Sequence, residues 1–193
     1  MADAAIRIPK ERRPRDATRA ASRSAILAAA RRVAARDGAR ELSLRGVAAE
    51  AGFAPAALYG YFRNKDELLL ALAADDLTHL ARVMRDSGGL AGAGLAAFDM
   101  LKGAETMAAA SGALNHGQGG DAERLFNGRL IAALKALSEA SGLPTGSREH
   151  QCDVVLLASA LAGLALFSRS GRMAALGFTP EEMVARLDTR FRA

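Results

Sequence analysis

Residues 41–72 read "ELSLRGVAAEAGFAPAALYGYFRNKDELLLAL", and the punctuation of this stretch decides the fold. Ser43 precedes "LRGVAAEA", where its hydroxyl can accept from a free amide of a first helical turn. Leu44, Val47 and Ala48 recur at helical spacing, and Gly52 supplies the stop. Pro55 opens a further short helix, "PAALYGYF", at a position where the missing N–H costs nothing. Two short helices joined by a glycine-containing turn make a helix-turn-helix, with Phe53, Leu58 and Phe62 as the apolar residues that lock it. Asn64 then caps a longer helix, and Glu67 three residues on is placed to bond back to the cap's own amide.

Both tyrosines of the chain, Tyr59 and Tyr61, fall in this stretch, beside Arg63 and Lys65. A chain that used Tyr only as core filler would scatter it. Lys65, at the first position of its helix, opposes the helix dipole, which Asp66 and Glu67 offset. Its charge is either an ordinary solvated one or is meant for an anion outside the helix. The charge distribution favours an anionic partner. Residues 1–66 hold 14 Lys and Arg against 7 Asp and Glu, whereas the rest of the chain is close to neutral.

Working outward, residues 1–17 are polar and basic, contain Pro9 and Pro14, and read as a flexible arm. A first helix starts at Thr18 or Ser22, buries Ile26, Ala29, Ala30, Val33 and Ala34, and stops at Gly38. Past Asp86, Gly88, Gly89, Gly92 and Gly94 read as a helix break. A phosphate-binding glycine loop is a poor alternative, because no strand precedes them. Helices follow over about 94–110, 121–141 and 148–170. A last one starts at Thr179 and Pro180, with Glu182 closing a capping box.

Composition agrees with an all-α chain: half the residues are hydrophobic and only 5% aromatic, so Ala and Leu do the packing. The one cysteine, Cys152, rules out an internal disulfide and reads as a small buried residue in a reducing cytoplasm. No secretory signal is seen, and the run Val154–Phe167 is too short for a bilayer, which needs about 20 residues, so no membrane partner is expected. His79, His116 and His150 lack metal-ligand spacing, and no nucleophile elbow, P-loop or carboxylate dyad appears. Neither metal, cofactor nor enzymatic activity is expected.

The 148–170 segment is apolar on nearly every face, with Ala158, Ser159, Ala162 and Gly163 small enough for a second helix to approach. Such a helix is either an internal core helix or, with 121–141, part of a homodimer interface.

The stretch 41–72, with "AILAAA" before it, resembles the DNA-binding domain of the TetR/AcrR family of bacterial transcriptional regulators. The resemblance covers about residues 20–72, and the rest matches only in being helical. It implies an N-terminal three-helix helix-turn-helix domain at 18–66, behind the arm 1–17. A helical ligand-binding and dimerisation domain would then occupy 67–193. It also implies a homodimer on palindromic double-stranded operator DNA, acting as a ligand-responsive repressor released by a small lipophilic effector. Tyr59 falls at the family's phosphate-contacting tyrosine, Lys65 at its phosphate-contacting lysine, and Arg45 where a side chain can reach backbone or base. Ala56, Ala57, Gly60 and Tyr61 occupy the recognition helix or its end, with packing beside Phe62 the other reading of Tyr61. Arg12, Arg13 and Arg15 of the arm would add contacts along the DNA backbone or in a minor groove.

Ala54 stands where the family has a Ser or Thr cap, and Pro55, Ala56, Ala57 and Gly60 cannot make bidentate bonds to bases. Sequence choice would then rest on methyl contacts, Arg45 and DNA shape. For the effector, Phe98, Met107 and Phe126 are candidate wall residues, with His116 and Asn127 as polar contacts. The competing function is a helical ligand-binding or interaction protein with a degenerate DNA-binding head.

Overall fold

The computed structural model describes residues 14–103, 105–114, 120–143 and 146–191. Among them the backbone forms helices and no strand. The head consists of α1 (Pro14–Asp37), α2 (Leu44–Ala51) and α3 (Pro55–Leu58). α1 starts earlier than its apolar stripe suggests, because Pro14 pre-sets the helical φ at a first position. The last four residues of the expected arm are therefore helical.

α4 (Lys65–Asp86) is shared by two cores. Its Leu68, Leu69, Ala71 and Leu72 join Ile26, Val33, Val47, Leu58 and Phe62 in the head. Its Leu70, Ala73, Leu77, Ala81 and Met84 enter the core of the body. The run Leu68–Ala74 explains this, since a helical turn without a polar face needs cover on every side.

The body comprises α5 (Leu90–Gly103), α6 (Glu105–Leu114), α7 (Gly120–Ser141), α8 (Arg148–Arg169), α9 (Arg172–Ala175) and α10 (Pro180–Phe191). α7 runs along α4 in the most extensive helix pairing, α5 lies on α8, and α10 crosses both α5 and α8.

Three local expectations need correction. Only Gly88 and Gly89, with φ of 66° and 103°, break the chain after α4. Gly92 and Gly94 are inside α5, where their role is close approach. A Cβ on Gly94 would lie 2.7 Å from Val184 Cγ1, and one on Gly92 would lie 2.3 Å from the Ser87 carbonyl oxygen. The single helix expected over 94–110 is instead two, α5 and α6.

At the start of α4, Asn64 Oδ1 accepts from the Glu67 amide at 2.8 Å, as a cap should. The Glu67 carboxylate, however, accepts from the amide of Arg63 at 2.7 Å and from its Nε at 3.2 Å. The adjacent guanidinium draws the acid one residue further back. By contrast, α10 has the full reciprocal box: Thr179 N donates to Glu182 Oε2 at 2.8 Å, and Glu182 N to Thr179 Oγ1 at 3.2 Å.

α8 departs most. At 22 residues it is long and apolar enough to cross a membrane by length and composition, unlike the shorter apolar run within it. Within one chain only Val154, Leu157, Leu161 and Ala165 are buried. Val155, Leu156, Leu166 and Phe167 are between 40% and 67% exposed, and Ile131 of α7 is 66% exposed. Cys152 is exposed too, so it is not the buried apolar residue its solitude suggested. All-round apolarity shows that a helix is to be covered, but not which chain covers it.

Candidate nucleic-acid interface

Local chemistry builds the head. Ser43 Oγ accepts from the Gly46 amide at 3.1 Å and starts α2. Gly52 ends it at φ 71°, a left-handed conformation that costs glycine nothing. The Phe53 amide then donates to the Ala48 carbonyl at 2.9 Å, which folds the chain back toward α3. α3 itself is one turn long. Pro55 leads it, Ala54 gives it no side-chain cap, and Tyr59 follows it. Gly60 and Tyr61 lie in the turn beyond, whose amides donate to Ala57 at 3.1 Å and Leu58 at 2.9 Å.

The residues read from the sequence as DNA-facing divide into two groups. Arg45, Ala56, Ala57, Tyr59 and Gly60 are exposed, Tyr59 by 55%. Tyr61 is half-buried and meets Phe53 edge to face, with centroids 6.3 Å apart and planes at 78°. The Arg19 guanidinium lies 5.1 Å from the Tyr61 centroid, and its Nη2 donates to the Gly60 carbonyl at 2.8 Å. One helical turn later Arg23 lies 5.0 Å from the Phe62 ring centroid. α1 thus clamps the end of the recognition segment with two arginines. Their spacing of four was visible in the sequence, but nothing local indicated that they face Tyr61 and Phe62.

Lys65 is half-buried, and its Nζ donates to the Arg40 carbonyl, which ties the start of α4 to the α1–α2 connection. One of its three ammonium protons is therefore committed inside the protein. Arg63 pairs with Glu67 at 3.2 Å. Arg32 and Arg36 both hold Glu50 of α2, at 2.7 Å and 3.1 Å. The hydrogen bonds from Arg32 and then Arg36 hold the Glu50 carboxyl below its ordinary range. Much of the head's positive charge therefore braces its own helices. Arg12 and Arg13 lie outside the described residues, and Arg15 falls in the first turn of α1.

The described effector candidates fall in different places. Phe98 is buried with Ala165 and Met173 in a small cluster of its own, and Phe126 is buried in the main body core. Asn127 is exposed, and His116 lies outside the described residues. Met107 lines a cleft of about 810 Å³ between head and body. Its floor is Leu77 and Leu80 of α4, Met100 and Leu101 of α5, and Met107 of α6.

A three-helix bridge closes one wall of this cleft. Arg31 of α1 donates to Asp76 Oδ1 of α4 through Nε at 3.1 Å and Nη2 at 2.5 Å, and reaches Asp75 at 2.9 Å. Asp76 Oδ2 accepts from Thr106 Oγ1 of α6 at 2.8 Å. Desolvation pulls the Arg31 guanidinium down, but the hydrogen bonds and charges of Asp76 and Asp75 outweigh it and raise its pKa.

Residues 26–72 match the tetR family of bacterial regulatory proteins. Over 60 residues the chain is 47% identical to the HTH-type nicotine-responsive transcriptional repressor HdnoR of Paenarthrobacter nicotinovorans, and the match covers 31% of each protein. The chain thus spans about a third of the length of that curated relative. Likeness over nearly the whole chain comes from solved structures. A transcriptional regulator from Rhodococcus sp. Rha1 superposes with a TM-score of 0.62 at 26% identity, covering 88% of this chain and 94% of its own. The fatty acid degradation regulator FadR from Bacillus halodurans shares the fold, with a TM-score of 0.57 at 17% identity over 95% and 97% of the two chains. The helix-turn-helix within residues 26–72 is therefore that of the tetR family of bacterial regulatory proteins, carried on a body that shares the fold of these solved regulators.

Proposed function

We propose that this regulator is a ligand-responsive repressor that binds a palindromic operator as a homodimer. The observation that carries the reading is the exposed set Arg45, Ala56, Ala57, Tyr59 and Gly60 on a helix-turn-helix braced from behind by α1 and α4. In this reading the Tyr59 hydroxyl and the two remaining protons of Lys65 bond phosphates. Arg45 reaches a base edge or the backbone, and the Ala56 and Ala57 methyl groups meet thymine methyls. Tyr61 supports the surface from beneath.

The homodimer forms through α7 and α8. The exposed apolar side chains of Ile131, Val155, Leu156, Leu166 and Phe167 favour burial against a second copy. Gly163 has open space around it, which suits close approach of a partner helix. A lipophilic effector bound in the body would change the spacing of the two heads and release the DNA.

The test is binding of the full chain to the DNA flanking its own gene in about 150 mM salt, against scrambled DNA of equal length. Preference for the flanking DNA supports the repressor. Equal, salt-labile binding of both DNAs would favour a helical ligand-binding protein with a degenerate head, a reading to which the uncapped, one-turn α3 lends its weight.

A further inference from the structure

The head–body cleft has the composition of a ligand site. Its volume of about 810 Å³ falls in the size range of small-molecule pockets, and its floor is formed by Leu and Met side chains. The charges around it are mostly spoken for. Arg31 is held by Asp76, Arg36 by Asp37 and Glu50, and Arg169 by Glu105 at 3.4 Å. Lys102, at the end of α5, lines the same cleft and has no acidic partner among the described residues. An apolar floor with one uncompensated cation on its rim selects a molecule with an apolar body and a single negative charge.

The cleft also has a means of reporting its occupant. Arg31, Asp76 and Thr106 belong to α1, α4 and α6, and all three line it. Asp76 uses both oxygens, one toward the head and one toward the body. A ligand that pushes α6 away from α4, or brings a carboxylate near Arg31, alters a bridge whose other end is the helix that clamps the recognition segment.

We propose that this cleft is the effector site, that it takes a small amphipathic monoanion of the aliphatic carboxylate type, and that the Arg31–Asp76–Thr106 bridge transmits its occupancy to the head. The transmission part rests on the repressor reading; the binding part does not.

The experiment titrates the full-length protein with decanoate and with decanol, its neutral counterpart, and repeats the decanoate titration with Lys102→Met. Decanoate is expected to bind, with decanol and Lys102→Met each weakening binding by at least about tenfold, the scale of a lost charged hydrogen bond. Absence of decanoate binding, or equal affinity in wild type and Lys102→Met, overturns the site. Transmission is tested with Thr106→Val, whose operator affinity is first measured without ligand. At decanoate concentrations that saturate the variant by its own measured affinity, it is expected to lose most of the decanoate-induced change in operator affinity, and an unaltered change overturns the role of the bridge. The two failures are separable. Operator binding without decanoate binding removes only the cleft. Lys102-dependent decanoate binding without operator preference removes only the repressor.

Discussion

Arg19 and Lys65 carry the same charge and lie near the same surface, yet the structure uses them differently. Arg19 lies over Tyr61 and donates to Gly60, and so stabilises a recognition segment that has no cap of its own. Arg19→Ala is expected to weaken operator binding by about 1 kcal/mol, the scale of an exposed cation–π contact with its hydrogen bond, while leaving the slope of affinity against salt unchanged. A phosphate-contacting arginine would instead reduce that slope by about one unit. Arg19→Lys is expected not to rescue, because only a planar guanidinium can stack on the ring and reach the carbonyl together. Arg45 has an exposed side chain at the start of α2. Arg45→Ala is expected to erode discrimination between operator and scrambled DNA by about 1–3 kcal/mol, whereas Lys65→Ala weakens both DNAs about equally. Competition binding with the two DNAs reads the difference, and equal loss of discrimination in both variants would contradict this division of roles.

At the scale of the element, helix ends and helix contacts make separate demands. Gly94 is a contact residue, so Gly94→Ala is expected to destabilise by about 1–3 kcal/mol, seen as a fall in Tm of several degrees. Gly128, in the middle of α7 with nothing close to its missing Cβ, is expected to behave oppositely. Gly128→Ala is expected to raise stability by about 0.5–1 kcal/mol through helix propensity. The α10 capping box gives a pH signature. The Thr179 amide, followed by its hydroxyl, holds the Glu182 carboxyl below its ordinary range. A depressed carboxylate adds stability above its unfolded pKa and loses it as pH falls through the folded value. Urea midpoints of wild type and Glu182→Gln are therefore expected to differ at neutral pH and to converge in acid.

For the whole molecule, the decisive question is what covers α8. Its outward face leaves large apolar side chains in water within one chain, and Ile131 of α7 extends the same kind of surface. Leu156→Arg is expected to give a folded monomer by light scattering, because its side chain is 59% exposed and outside the chain's own core. Operator affinity is expected to fall by more than an order of magnitude once two heads no longer bind together. Retention of the dimer would move the interface elsewhere on the body.

The helix-turn-helix, the caps at Ser43, Asn64 and Thr179, and the all-α class are legible in the sequence. These depend on interactions within about four residues, or on periodicity along one helix, and such signals do not require the rest of the chain. The sequence also indicated where Arg45, Ala56, Ala57 and Tyr59 sit on the head. The remaining contacts join residues far apart in the chain. Arg19 meets Gly60 across 41 residues, Lys65 meets Arg40 across 25, and Asp76 joins Arg31 and Thr106 across 45 and 30. A charged residue in a sequence offers a donor or an acceptor without naming its partner, and an apolar residue asks for cover without naming its source. Gly94 looked like a break and is a contact, Lys65 looked free and is partly tied, and α8, apolar on nearly every face, is covered by its own chain on only one of them. In each case the missing information was which other helix stands opposite, and only packing in three dimensions supplies it.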